Sequence, residues 1–289
     1  MAAAKTESGE QKAERVIALI VGESGAGTSF FLANLKKALI FDTDIGGGLS
    51  AYEARIRRNG SELIQVSSYP EVMVEIGKRK AANTLKDFTT IALDHLTTLQ
   101  QEAVARHNPT GAEDFGKSYA KATKDFHRLR ELVRTGDFNL FCTAHMKAKY
   151  VDNKPVGFIP DASKNVEADM TMVVYLEKSG KHPSMARVDK WRRDPEDDRG
   201  LVPARFPFTV EEFRVIHGFD LDGTRHETPM ATPEQVAELV RLLGVVKLEE
   251  GTEEAWKKKA KVEEWIDMTE AQIVACINHL NKIIAKGAK

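Results

Sequence analysis

Six apolar residues, Val16-Ile17-Ala18-Leu19-Ile20-Val21, run into Gly22-Glu23-Ser24-Gly25-Ala26-Gly27-Thr28-Ser29. That is an apolar strand feeding a glycine-rich turn, with an amphipathic run behind it (Phe30, Phe31, Leu32, Leu35). The glycines let the backbone wrap an anion with its N–H groups pointing inward, and the following helix turns its positive end to the same point. The pattern is a phosphate-binding loop, G-x-x-x-x-G-K-[ST], with one residue changed. The seventh position, where a lysine reaches the β- and γ-phosphates, is Thr28. Ser29 keeps the hydroxyl such loops offer to Mg²⁺. Residues 22–29 are therefore expected to hold ATP with Mg²⁺, one positive charge short.

Apolar strands alternate with helical stretches through the first two hundred residues, as in a mostly parallel sheet with helices on its faces. The spacing predicts strands at 16–21, 38–42, 63–66, 89–94, 139–144 and 172–176, with an edge strand at 185–191. Helices are expected from the loop to about residue 37, and at 69–87, 97–107 and 117–134. A polar, hairpin-like stretch with Asn153, Pro155, Gly157 and Pro160 precedes the strand at 172. The chain of 289 residues is long enough for one large α/β domain and an appendage. The expected division is a disordered lead-in (1–13), a nucleotide-binding core (14–215), a turn-rich linker (216–232) and a helical C-terminal region (233–289).

Composition excludes some classes. No apolar run is long enough to span a membrane, and the first 13 residues lack an apolar signal segment. The two cysteines, Cys142 and Cys276, are far apart and outside any metal-ligand spacing, which suits free thiols in a reducing, cytoplasmic compartment. A net charge of −1 does not announce nucleic acid, so any DNA binding must come from local basic patches.

In an open parallel sheet, ligands gather at the carboxyl ends of the strands. Asp94 ends its strand where a second acid would hold the Mg²⁺ shell with Ser29; otherwise it is a solvated acid. Asp42 and Asp44 end the second strand. Asp44 is the preferred residue to orient the attacking water, although Asp-Thr-Asp before three glycines also reads as turn chemistry. His145 follows the strand after Asp94 and could contact the γ-phosphate, with Lys147 and Lys149 close by. Lys190-Trp191-Arg192-Arg193 interleaves an aromatic with cations, which suits a neighbour's γ-phosphate, stacking on single-stranded bases, or a solvated edge strand. Arg55, Arg57 and Arg58 form a second basic cluster, a DNA contact or a solvated helix face. Either another cation, such as Lys147 or Arg192, replaces the missing lysine, or nucleotide is bound without turnover. A charge-assisted hydrogen bond is worth about 1.5–3 kcal/mol, so losing it weakens binding about ten- to hundredfold.

The order of these motifs resembles phage-type P-loop ATPases with a minimal RecA-like core, the single-strand annealing recombinases and phage nucleotide-binding proteins. It comprises the glycine loop, Asp-Thr-Asp before Gly46-Gly47, the strand ending at Asp94, Thr143-Ala144-His145, and Ala168-Asp169 before a strand. The resemblance spans about Val16 to Phe213; Trp265 to Gln272 is similar to the helical tails of phage recombination proteins. It implies a RecA-like α/β fold with a small helical appendage, and nucleotide at a subunit interface of a homo-oligomeric ring or filament. It implies single-stranded DNA as partner, a single-strand-binding protein as another, and a bacterial host cytoplasm if the chain is phage-encoded. It places Asp44 at the catalytic acid, Asp94 at the Walker B acid and His145 at the γ-phosphate sensor.

Four function classes follow. The leading one is an annealing or recombination factor that binds ATP·Mg²⁺ and single-stranded DNA and hydrolyses slowly or not at all. A second is an active DNA-dependent ATPase using another cation, and a third a nucleotide-dependent assembly factor with no DNA role. The fourth, a small-molecule phosphotransferase, ranks low because the loop Asn108–Gly116 offers no arginine to a lid.

Overall fold

The computed structural model describes residues 15–44, 47–112, 114, 116–178, 184–192, 204–217, 221, 229–246, 248, 251–260 and 262–287. The expected lead-in, most of the expected linker and Arg193 lie outside them. The described chain forms two compact units, Met1–Arg225 and His226–Lys289.

In the first unit, β1 (Ile17–Gly22) passes through the glycine loop into α1 (Thr28–Ala33), and β2 (Ala38–Asp42) is followed by α2 (Glu53–Arg58). Then come β3 (Glu62–Gln65), α3 (Tyr69–Ala81), β4 (Thr90–Asp94), α4 (Leu96–His107) and α5 (Lys117–Thr135). A long β5 (Asn139–Val151) turns into β6 (Lys154–Pro160), before α6 (Lys164–Asp169) and β7 (Met172–Glu177). Last are β8 (Met185–Trp191), β9 (Arg205–Pro207) and α7 (Val210–His217). The sheet order is β3-β2-β4-β5-β1-β7-β8-β9, with β6 paired to the outer part of β5. From β3 to β7 the neighbours are parallel, while β8 and β9 add antiparallel edges. The fold is a mixed α/β core with a mostly parallel central sheet and helices on both faces.

Alternation along the buried strands divides the core into two layers. Leu19, Val21, Leu39, Phe41, Ile91 and Leu93 pack with Tyr69, Val72, Leu99 and Phe126 from α3, α4 and α5. On the other face Ala18, Ile20, Ile40, Phe141 and Val174 pack with Phe31, Leu32, Ile56 and Phe213 from α1, α2 and α7. Phe31 anchors that second layer, its ring stacked at 4.3 Å on Phe208 and edge-on to Phe141 at 5.5 Å. The helix that carries the phosphate loop is thus fixed from behind by aromatic packing.

Two elements depart from expectation. The first helix stops at Ala33 rather than running to residue 37, because side chains take its terminal carbonyls. Asn34 Nδ2 donates to Phe30 O at 2.7 Å and Asn59 Nδ2 to Ala33 O at 3.0 Å, and just past the helix Ser61 Oγ donates to Leu35 O at 2.8 Å. The strand expected to end at Ala144 continues to Val151, as half of a hairpin closed by Asp152 and Asn153 with φ of 50° and 60°. Two consecutive positive φ values are what a tight two-residue hairpin turn requires, and Asp and Asn tolerate them.

The second unit contains α8 (Pro233–Leu243), α9 (Thr252–Ala260) and α10 (Glu270–Gly287). Thr232 and Gln235 form a reciprocal capping box at the start of α8, and Thr269 and Gln272 make the same exchange at the start of α10. Leu239, Leu242, Trp265, Met268, Ile273 and Leu280 form its core. The charged stretch after residue 248 contains α9, whose Lys257 lies 4.6 Å from the Trp265 ring centroid.

Candidate nucleotide site

The glycine loop leaves β1 at the carboxyl edge of the parallel strands. Gly25 (φ 76°) and Gly27 (φ 99°) occupy left-handed backbone that side chains resist, so the loop's path depends on glycine at both. The turn is closed by Ala26 N donating to Glu23 O at 2.9 Å. It is also held from the residue just before β8, where Ser184 Oγ donates to Ala26 O at 2.6 Å. Glu23, Ser24 and Gly25 are exposed, whereas Gly27, Thr28 and Ser29 are half-buried.

Ser29, the second residue of α1, donates its hydroxyl to Asp94 Oδ2 at 2.9 Å. Asp94 is 2% exposed at the end of β4, and its other oxygen, Oδ1, accepts from Thr143 Oγ1. Thr143 Oγ1 also lies 3.2 Å from His95 Nδ1. The backbone joins in: Thr43 N donates to Asp94 O at 2.6 Å, and His95 N to Thr43 Oγ1 at 2.9 Å. Ser29, expected to hold a metal with Asp94, is therefore bonded to it through strands β1 and β4, which are separated in the sheet by β5.

His145 is in register with Gly22 across β1 and β5, beside the first residue of the loop. Its ring stacks on His95 at 4.3 Å with 24° between planes, and its backbone N–H donates to Thr97 Oγ1 at 3.1 Å. Partial burial, and then the neighbouring His95, hold its imidazole below the usual histidine range. Such a ring is mainly neutral near pH 7.

The two acids of the second strand differ sharply. Asp42, in register with Asp94, is 1% exposed and accepts from Asp44 N and Gln65 Nε2, both at 2.9 Å. Burial raises its pKa, against the pull of those hydrogen bonds. Asp44 is exposed on the loop beyond it. That loop turns back on the site: a Cβ at Gly48 would lie 3.4 Å from Ser29 Oγ. The structure thus gathers Ser29, Asp94, His145 and the Asp44 loop at one sheet edge.

The basic candidates are scattered. Lys147 is paired with Asp161 at 2.9 Å, and Lys149 is exposed further along the hairpin. Lys190 donates to the carbonyls of Glu167 and Ala168 at 2.7 and 2.9 Å, capping α6. Trp191 and Arg192 lie beside Met172 and Thr171, at the amino-terminal end of β7. Since β7 runs parallel to β1, this is the end of the sheet opposite the glycine loop. Arg192 therefore cannot replace the missing lysine within one chain; the antiparallel turn of β8 is the reason. Arg55 lies over the Phe30 ring at 4.9 Å and Arg57 pairs with Glu53, while Arg58 is exposed on the same helix.

Sequence reasoning missed Thr143 as the hydroxyl on Asp94, His95 as the ring under His145, Ser184 as the loop's clasp, and Lys178. Lys178 follows β7 and its Nζ lies 3.5 Å from Glu23 Oε2. Thr143 and His95 had a signal: His95 is next to Asp94, and Thr143 lies two residues before His145.

The donor set fits a magnesium nucleotide: a hydroxyl and a carboxylate in contact below a glycine loop whose backbone is open to an anion. No described helix is long and apolar enough to cross a membrane. The search of curated proteins finds no match. A family model described as an AAA domain matches residues 14–196, well over half of the chain, and the protein belongs to that family of P-loop ATPase-like domains.

Proposed function

We propose that this protein binds ATP·Mg²⁺ at the β1 loop, turns it over slowly, and acts as an oligomeric annealing or recombination factor on single-stranded DNA. One observation carries the nucleotide reading: the Ser29–Asp94 hydrogen bond beneath a glycine loop whose crown is exposed. The loop amides hold the phosphates, and Ser29 with Asp94 holds the metal, which neutralises phosphate charge when bound. Asp44 is the candidate to orient the attacking water and His145 the group that senses the γ-phosphate. Slow turnover follows from Thr28, because phosphoryl transfer relies on positioned positive charge.

The DNA part is supported by the β5–β6 hairpin, which begins at the residue after His145. Alternation puts Lys147 and Lys149 on one face, and Ala148 and Tyr150 on the other; Phe158, opposite Ala148, joins the second. Tyr150 and Phe158 are 64% and 58% exposed, an unusual cost for aromatics unless they meet a partner. Exposed rings beside lysines suit bases that stack and phosphates that pair.

The test combines titration of Mg·ATP by calorimetry, hydrolysis with and without single-stranded DNA, and fluorescence anisotropy of a labelled oligonucleotide across a salt series. Expected are ATP binding, turnover barely above background, and DNA binding whose log–log salt slope is about −2 if Lys147, Lys149 and Lys154 of the hairpin pair with phosphates. The double variant Tyr150→Ala, Phe158→Ala should weaken DNA binding at least tenfold, given about 1–3 kcal/mol per stacked base. Robust DNA-stimulated hydrolysis would overturn slow turnover. Salt-independent or absent DNA binding would leave a nucleotide-dependent assembly factor instead.

A further inference from the structure

Resting on the reading that the loop holds a triphosphate, we propose that Lys178 supplies the positive charge that position 28 lacks. Lys178 is the first residue after β7, the strand beside β1, and β7 runs in the same direction. The register sets Val21 against Tyr175, so the chain leaves β7 at the edge where the glycine loop leaves β1. From there the side chain reaches across the loop. Its Cε lies 4.0 Å from where a Cβ at Gly25 would stand, and its Nζ lies 3.5 Å from Glu23 Oε2.

The chemistry supports an exchange of partners. Lys178 and Glu23 are 49% and 55% exposed, and ion pairs in that setting contribute little to stability. A triphosphate carries more negative charge than one carboxylate and offers several oxygens to an ammonium with three donors. The flexible four-carbon stem lets Nζ turn from Glu23 to phosphate without moving the backbone. Glu23 then acts as a placeholder for the anion. Without Lys178, its carboxylate would stand uncompensated on the loop's crown and repel nucleotide.

The experiment is calorimetric titration of Mg·ATP into the full chain and the variants Lys178→Met, Thr28→Lys, Thr28→Lys with Lys178→Met, and Lys178→Met with Glu23→Gln. Thermal unfolding confirms that each variant is folded. Lys178→Met should weaken ATP about ten- to hundredfold, the loss of one charge-assisted contact. In the Thr28→Lys background the same change should cost only a few-fold, because the restored lysine does the same work. The Glu23→Gln double variant should stay weak. Equal affinity of the parent and Lys178→Met overturns the inference, as does full recovery in the Glu23→Gln double variant, which would mean that Lys178 merely neutralises Glu23. Absence of any ATP binding by the parent chain would instead sink the nucleotide reading.

Discussion

On the metal side of the site, Ser29, Asp94 and Thr143 form a closed run of hydrogen bonds around a carboxylate that is 2% exposed. On the phosphate side, Glu23, Ser24 and Gly25 stand in solvent, and position 28 carries a hydroxyl where a lysine is expected. The two sides share one loop yet differ in what the sequence supplies. The metal side is pre-organised by neighbours on β4 and β5. The phosphate side has backbone geometry without a charge at position 28, and the one proposed for it comes from Lys178, outside the loop. On the proposed reading, such a site keeps the groups that would recognise a magnesium nucleotide and lacks part of what would drive transfer. Binding and turnover should therefore separate under mutation.

The largest effect should come from the metal side. Asp94→Asn keeps the shape: the amide oxygen can still accept from Thr143, and the NH₂ can donate to Ser29 Oγ. Only the charge is lost. Mg²⁺-dependent ATP affinity should fall about ten- to hundredfold, as for one charge-assisted interaction. Nucleotide binding measured in EDTA should barely change. Equal losses with and without Mg²⁺ would mean that Asp94 supports the loop rather than the metal.

Thr28→Lys probes the other side. Its ATP affinity should rise about tenfold, one charge-assisted contact at the lower end of its range, and hydrolysis should rise by more than affinity does. A quenched-flow or coupled assay reads both. If affinity rises while hydrolysis stays at background, the deficit lies elsewhere, with Asp44 the first residue to question.

Much of this contrast was legible in the residues. The loop, Ser29 and Asp94 could be read because strand, glycine turn and acid each leave a local pattern, and the sheet does the rest. His145 was legible as the residue that follows the apolar part of a strand, although that strand runs on to Val151. Lys178 was not, because its position depends on which strand pairs with β1, and pairing order is a tertiary fact. Arg192 as a replacement for the lysine within one chain fails for the same reason: β8 runs antiparallel to β7 and carries Lys190–Arg192 to the far edge. The early end of α1 was hidden too, since Asn59 reaches the Ala33 carbonyl, and Ser61 the Leu35 carbonyl just past the helix, from a distant turn.

Ser184→Ala tests how far the phosphate side depends on support from the residue that precedes β8. The hydroxyl is buried and donates to Ala26 O at 2.6 Å, holding the loop between its two positive-φ glycines. Removing it leaves a carbonyl without that donor, worth about 0.5–1.5 kcal/mol of unfolding free energy by denaturant titration. ATP affinity should drop a few-fold, and Mg²⁺ dependence should be unchanged. A shift in Mg²⁺ dependence would show that the two sides are mechanically coupled.

The smallest effect concerns His145, which sits between the two sides. Partial burial, then His95, lowers its pKa in the folded chain below the usual histidine value of about 6.5. The unfolded chain therefore takes up the proton first as pH falls. Between 6.5 and the lowered value the unfolded state binds more protons, so stability rises with pH across that window and is lost as pH drops through it. Denaturant titrations in metal-free buffer should show this slope just below pH 6.5 in the parent chain. His145→Gln should flatten it, and the two curves should run parallel above pH 7.5. A slope of opposite sign, or one untouched by the substitution, would mean that the imidazole gains a partner in the folded state. His145 would then belong with the charged groups of the phosphate side, not with the neutral network around Asp94.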